Sequence, residues 1–477
     1  MILHALSYLI AYGLPAIFGF AGIIIFTRVL SPEEYGYYVV GMSFAGIASA
    51  VLFAWIRLSI LRYQSEGEAT DIRLSAFAGY GLSLAVSPIV LIVLLLTTGA
   101  PLDQLLLATS VAIALGLFEF GQNVLNARQM SRVYMRASIM RSVMTLAFSL
   151  TLVHFGMGGA GLLLGIGSAY LATALLYSRA IWRAPVRRFE PAIFKQMLAF
   201  GAPMAISGMV FSLHGALDRL IVVHFLGDAA AGVYGASADL VRQIVLFPAM
   251  AVGAAMAPVV IRSFAEGGRD QAKRQLNLSI EMLLAAVLPA AIGLALVAPA
   301  FSTLMLGPEF RDMAVHLIPV LSFAWLFQAM TQQYVHLSFH LAKASRVLLM
   351  QGVALLVVNL ALTIVLVPAY GLHGAAWALL IAEAAGVLVG FLLARRAHPL
   401  PFPTGPIVRV LLAGAAMAAP TYMVVRLESD PVLSLVASIA VGVVSYGLAV
   451  LAFDVLGLRG RVADRLRLLA GQARHAA

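Results

Sequence analysis

The chain has 477 residues, no cysteine, 62% hydrophobic side chains and only 11% charged ones. A soluble domain carries about a quarter charged residues, so this composition excludes an ordinary soluble core, disorder, collagen-like repeats and disulfide scaffolds. The formal charge of +10 does not point to nucleic acid, because the basic residues cluster at the ends of apolar segments, where they set topology.

Runs of about 20 apolar residues, the length that crosses a bilayer, predict an all-α polytopic membrane protein with fourteen transmembrane helices. They fall at 8–30, 35–60, 73–98, 102–126, 138–155, 159–182 and 197–226 in the first part of the chain. The rest fall at 231–261, 276–300, 313–340, 347–368, 373–394, 406–426 and 431–456. No basic region precedes the first run and no small-residue cleavage site follows it, so it reads as a retained helix.

Charge orients these spans. Alternate connections collect most of the 31 basic residues, among them Arg62 and Arg73, Arg128 to Arg141, Arg179 to Lys195, Arg262 to Arg274, and Arg395 to Arg409. The opposite connections are short and hold Glu33, Glu34, Asp103, Asp228, Glu309, Asp312, Glu428 and Asp430 against Arg28, Arg311 and Arg426. Both termini are therefore expected in the cytoplasm. The tail 457–477 is basic and sets Val462, Leu466 and Leu469 on one helical face. Such a face either lies on the anionic inner leaflet or is simply solvated.

The sequence also repeats itself. Gly13-Leu14-Pro15 corresponds to Gly201-Ala202-Pro203, Gly36 and Tyr38 to Gly232 and Tyr234, and Phe155–Gly161 to Tyr370–Ala376. The shared order predicts a six-helix bundle over 1–190, a second in the same orientation over 191–400, two added spans over 401–456 and the basic tail 457–477. Two parallel repeats in one membrane are the architecture of an alternating-access transporter with substrate between the bundles.

Ionisable residues at bilayer depth are costly, so each needs a reason. His214, Asp218 and Arg219 on the seventh span and Asp239 and Arg242 on the eighth lie at similar distances from their shared turn. They read either as a neutralising network or as a head-group site at Arg219 or Arg242, with His214, Asp218 and Asp239 handling a coupling proton. Arg57 and Glu119 pair across the second and fourth spans, or Arg57 contacts ligand. Gln328, Gln332, His336 and His340 recur every four residues on the tenth span, a polar stripe suited to sugar hydroxyls or to helix–helix hydrogen bonds. His336 and His340 have the spacing of a zinc pair, but no cysteine or nearby acid completes a metal site. Glu383, alone in the twelfth span, is a candidate for ion coupling or a buried neutral acid. No Walker loop, HExxH, nucleophile elbow or large outer loop is present, which argues against an ATP-driven pump or an enzyme.

The stretches GLPAIFGFAGIIIFTRVLSPEEYGYY and DRLIVVHFLGDAAAGVYGASADLVRQI carry a resemblance. Arg28, Glu34, Tyr35 and Gly36 fit its first motif; Asp218, Arg219, Gly227, Gly232 and Tyr234 fit its second. The chain resembles bacterial polysaccharide transporters, the oligosaccharide-flippase branch of the multidrug/oligosaccharidyl-lipid/polysaccharide exporter superfamily that includes O-antigen flippases. The resemblance implies two six-helix lobes around a cationic cavity in the bacterial inner membrane. It implies an undecaprenyl-pyrophosphate-linked oligosaccharide as substrate, moved outward by proton or sodium antiport with no other cofactor. Membrane lipids, a polysaccharide polymerase and export machinery are the implied partners, and nucleic acid is not. Arg57, Arg219 and Arg242 are then the candidates for the diphosphate. A drug or metabolite cation antiporter of the same fold, a lipid-II-type flippase and a membrane glycan polymerase or ligase remain as alternatives.

Overall fold

The computed structural model describes residues 2–64, 71–183 and 189–460; Val462, Leu466 and Leu469 of the expected tail lie outside them. Every regular element among the described residues is helical, and no strand occurs. The first six helices are α1 (Ile2–Val29), α2 (Pro32–Tyr63), α3 (Arg73–Thr98), α4 (Leu102–Ala127), α5 (Ser131–Leu152) and α6 (Gly158–Trp182). A continuous helical run then covers Pro191–Leu296, 106 residues, several times the length that spans a ~30 Å hydrocarbon core. It turns where Gly227 and Gly268 adopt φ of 84° and 65°, a left-handed backbone that glycine reaches without a Cβ clash. These breaks give α7 (191–226), α8 (228–267) and α9 (269–296). After the short helix Ala298–Met305 come α10 (Pro308–Leu341), then a run Ser345–Ala397 broken at Gly371 with φ of 60° into α11 (345–370) and α12 (372–397). The last two are α13 (Thr404–Leu427) and α14 (Pro431–Ala452). Each of the fourteen segments among the described residues overlaps an expected span, with α1 and α7 starting six residues and α5 and α9 seven residues earlier than expected.

Local chemistry explains the helix starts. Ser31 caps α2 in a reciprocal box: its hydroxyl accepts from the Glu34 N–H at 3.3 Å, and Glu34 accepts from the Ser31 N–H at 3.2 Å. Pro32 then occupies the first turn, where no N–H is needed. Asp430 caps α14 through the Leu433 N–H at 2.8 Å, again followed by proline.

Packing divides the chain into two compact units, Met1–Ala236 and Ser237–Ala477. The first takes in 191–236, a stretch that the sequence repeat places with the second bundle; one boundary follows sequence order and the other follows contact. In the first unit, α2 is the central element. Its start meets α8 so closely that a Cβ on Gly36 would overlap the Asp228 carbonyl, and one on Gly232 would overlap the Pro32 carbonyl. Toward its other end, Phe53, Trp55, Ile56 and Ile60 pack with Ile72, Tyr80, Phe120 and Val124 into an apolar core. Trp55 donates to Ser83 Oγ at 3.3 Å, and Tyr80 donates to the Ile113 carbonyl at 2.7 Å. Ser59 reaches α7 by donating to the Met197 carbonyl at 2.9 Å.

In the second unit α10 packs along α11 and α12, and α14 lies on α9 through a 2.8 Å hydrogen bond from the Tyr446 hydroxyl to the Ala285 carbonyl. Tyr334 and Ser338 each donate at 2.6 Å to the carbonyls of Pro401 and His398, which fastens the 398–403 connection to α10.

One latch sits at the start of α3. Arg73, wholly buried, holds Asp71 by a 2.8 Å bond from Nε to Oδ1 and stacks 5.8 Å from the Trp182 ring centroid. Burial pushes the Asp71 carboxyl up, but the Arg73 hydrogen bonds and charge outweigh it and leave it below its ordinary value. A lowered native pKa gives stability that is present above the ordinary carboxyl range and is lost as pH falls through it. Arg73→Ala, which leaves the half-buried Asp71 carboxylate without its hydrogen bonds, is expected to cost about 1–3 kcal/mol. It should also flatten the loss of stability below pH 4; thermal unfolding in detergent across that range checks both.

Candidate functional site

The first unit holds an ion pair at membrane depth. Arg57 lies roughly 9 Å from the end of α2 at 1.5 Å per residue. Its Nη1 meets Glu119 Oε1 on α4 at 3.2 Å and Oε2 at 3.4 Å. Phe53, Ile56, Tyr80, Gly116 and Phe120 enclose the pair on its apolar side. The side chains remain 41% and 28% exposed, so this cation and carboxylate are reachable and are not sealed into the core. Asn123 donates to the Glu119 carbonyl at 2.6 Å, closing the next turn of the polar face.

Asp218 on α7 is buried and accepts two hydrogen bonds. The Tyr234 hydroxyl donates to Oδ2 at 2.8 Å, and the Arg219 N–H donates to Oδ1 at 2.9 Å. His214, also buried, precedes it by one helical turn. The role of Tyr234 is what sequence reasoning missed here: the residue stands in a repeated Gly-x-Tyr turn and in the second motif, with nothing to show that its hydroxyl turns back to α7. Arg219 is half-buried.

Arg141 is a second missed residue. The sequence groups it with a basic connection, whereas it lies about 15 Å into α5. Its guanidinium sits 5.4 Å and 5.8 Å from the ring centroids of Tyr170 and Phe118 and donates to Ser142 Oγ at 3.1 Å. A mid-bilayer arginine costs about 2.5–3.5 kcal/mol on insertion scales, and cation–π contacts return only part of that.

The second unit holds the remaining candidates. Asp239 is half-buried on α8, and the Arg242 guanidinium stacks 5.5 Å from the Trp325 ring centroid of α10. Glu383, wholly buried on α12, accepts a 2.8 Å hydrogen bond from the Gln328 amide of α10. His336 Nε2 lies 3.0 Å from Gln351 Oε1, and the Gln351 amide donates to the Gly386 carbonyl at 3.0 Å, which links α10, α11 and α12. Gln332 and His340 are exposed. The four-residue stripe therefore does not run along a single surface. Residues Thr331–Val335 form a π-turn, whose i to i+5 bonding shifts the helical register in the middle of the stripe. Among the described residues no group of three histidine, cysteine, aspartate or glutamate side chains could hold a metal ion.

A multi-pass helical fold with partnered charges inside its bundles is the architecture of a membrane transporter. In agreement, the structure of a lipid II flippase MurJ in an inward-closed conformation covers 95% of this chain and 99% of its own, with a TM-score of 0.78 at 16% identity. An inward-facing multidrug resistance MATE family transporter of the MOP superfamily covers 81% of this chain and 97% of its own, with a TM-score of 0.63 at 16% identity. The model of the polysaccharide biosynthesis protein family matches residues 25–315, more than half of the chain, and the chain belongs to that family. A Shigella flexneri protein named "Putative O-antigen transporter" is 28% identical over 185 residues, 38% of this chain and 43% of that protein. The match thus spans less than half of that relative's length.

The two acidic sites differ in what holds them. Tyr234→Phe leaves a buried carboxylate short of a donor and should cost about 1–3 kcal/mol. Glu119→Gln keeps an amide oxygen to accept from the partly exposed Arg57 and should cost less, about 1 kcal/mol. Thermal unfolding in detergent ranks the two, and the reverse order contradicts this assignment of burial to energy.

Proposed function

We propose that the chain is a flippase that moves undecaprenyl-pyrophosphate-linked oligosaccharide across the bacterial inner membrane for surface polysaccharide biosynthesis. The observation that carries this reading is the polysaccharide biosynthesis family match over residues 25–315. The O-antigen transporter relative and the flippase fold support it. In this reading the protein is a transporter and not an enzyme, its two repeats alternate access, and both termini are cytoplasmic, as the arginine-rich connections favour.

The residues then take distinct roles. Arg57, Arg219 and Arg242 supply cationic contacts for the diphosphate, with Arg242 exposed and Arg57 partly exposed at its ion pair. Gln332 and His340 are open to sugar hydroxyls, whereas Gln328 and His336 are occupied with helix neighbours and shape the wall behind them. Among the acids Glu119, Asp218, Asp239 and Glu383, we favour Glu383 as the site of proton or sodium coupling. It is wholly buried and bonded by Gln328, so an ion reaches it only when α10 and α12 shift. That requirement ties ion uptake to conformational change. His214, one turn from Asp218, serves the same exchange in the first unit.

Deletion of the gene should abolish surface glycan and trap the lipid-linked repeat on the inner leaflet. Complementation with Arg219→Ala should fail, while Arg219→Lys should restore part of the glycan. Normal glycan with altered drug susceptibility would overturn the reading in favour of an antiporter. Complete but unpolymerised repeats at the outer face would mean that the chain acts as a polymerase.

A further inference from the structure

The first unit contains a cavity of about 110 Å³ between α1, α2, α5 and α6. Its polar lining comes from Tyr35, Tyr38, Arg141, Ser142 and Thr145, and its α1 wall is cut back at Gly19 and Gly22. We propose that this cavity is a phosphoryl-binding pocket in which Arg141 and Thr145 hold the oxygens of a phosphate or diphosphate group.

Three observations carry the proposal. The first is an unneutralised charge: among the described residues Arg141 makes no ion pair, and its contacts are the Tyr170 and Phe118 rings and the Tyr170 and Ser142 hydroxyls. Glu119, the residue after Phe118, is already held by Arg57. The second is an open hydroxyl. Thr145 Oγ1 is buried, lines the cavity and meets no partner among the described residues. Buried hydroxyls nearly always find a partner, so one facing a cavity is available to an acceptor or donor bound there. The third is the orientation of the guanidinium. Ser142 accepts from Arg141 and passes its own proton to the Ser138 carbonyl at 3.1 Å, which fixes the arginine from behind.

The chemistry selects the ligand. A positive charge at the wall rejects metal cations and protonated amines, and no carboxylate lines the space to receive them. The planar guanidinium fork matches an oxyanion, and phosphoryl oxygens accept several hydrogen bonds at once. One water needs about 10–15 Å³ of such space, so the cavity takes a phosphoryl group with its hydration but not an oligosaccharide. The glycines provide the room: a Cβ added at Gly22 meets only the Phe26 ring, at 3.7 Å. The identity of the phosphoryl carrier as a lipid rests on the flippase reading; the pocket itself does not.

The test uses the full chain purified in a phosphate-free maltoside detergent. Inorganic pyrophosphate and undecaprenyl pyrophosphate are titrated separately, with tryptophan fluorescence as the readout. The wild type should bind. Arg141→Gln and the cavity-filling Gly22→Leu should each weaken binding at least tenfold, Thr145→Val a few-fold, and Gly22→Ala should bind as the wild type does. Unfolding temperatures without ligand identify any variant that fails to fold, and Thr145→Val, nearly isosteric, keeps the test decisive if the others do. Binding of the lipid, with or without inorganic pyrophosphate, identifies a head-group site; binding of the inorganic probe alone identifies a site for soluble phosphates. Failure of the wild type to bind either probe, or wild-type affinity in both Arg141→Gln and Thr145→Val, overturns the pocket. Translocation by the wild type is measured in parallel, so that pocket binding without translocation contradicts the flippase reading alone.

Discussion

The cost of placing a polar or charged side chain in hydrocarbon governs this protein more than any other constraint. Several of the described residues of this kind are met by a nearby polar or aromatic group. Glu119 receives Arg57, Asp218 receives the Tyr234 hydroxyl, Glu383 receives the Gln328 amide, and Arg242 lies on Trp325. These solutions differ in a way that bears on function. A carboxylate bonded by a neutral hydroxyl or amide keeps its charge balance adjustable, because the partner tolerates a proton or metal ion on the acid. A carboxylate facing arginine is already neutralised, and its arginine is released only when the partner moves.

Backbone packing supplies the second constraint. The start of α2 is pressed against the start of α8 by glycines, with the Asp228 and Pro32 carbonyls lying where Cβ atoms would otherwise be. Close backbone approach through small residues is how membrane helices gain van der Waals contact without a hydrophobic driving force. The same helix carries Arg57 toward its other end. A single rigid element therefore connects a tight glycine contact with an accessible charge, an arrangement suited to coupling closure at one end to exposure at the other.

Much of the fold was legible in the sequence because apolar length is a strong signal: the bilayer demands about 20 residues per crossing, and fourteen such runs are present. Gly227 and Gly371 were readable as turns for the same reason, since each interrupts an apolar run long enough for two crossings. Position 141 was not. The sequence Ser131-Arg132-Val133-Tyr134-Met135-Arg136 is polar enough to pass for a connection, yet it is the first part of α5. Partners separated by many residues were equally hidden. Nothing local in Gln351 announces His336, and nothing in Tyr234 announces Asp218. The tenth-span stripe looked uniform because a four-residue repeat assumes α-helical register throughout, and the π-turn at Thr331–Val335 breaks that assumption. The candidate residues themselves were nearly all found by one rule, that polar groups at depth require a reason.

In the proposed function these partnered charges serve the movement of a lipid-linked anion. The most direct test of that function is reconstitution of the purified chain into vesicles carrying undecaprenyl-pyrophosphate-linked oligosaccharide in one leaflet, with the rate of appearance in the other leaflet measured under an imposed proton or sodium gradient. Translocation is expected to depend on the protein, to accelerate with one of the gradients and to lose that acceleration in Glu383→Gln. A rate no greater than in protein-free vesicles, under either gradient, would contradict the proposed function.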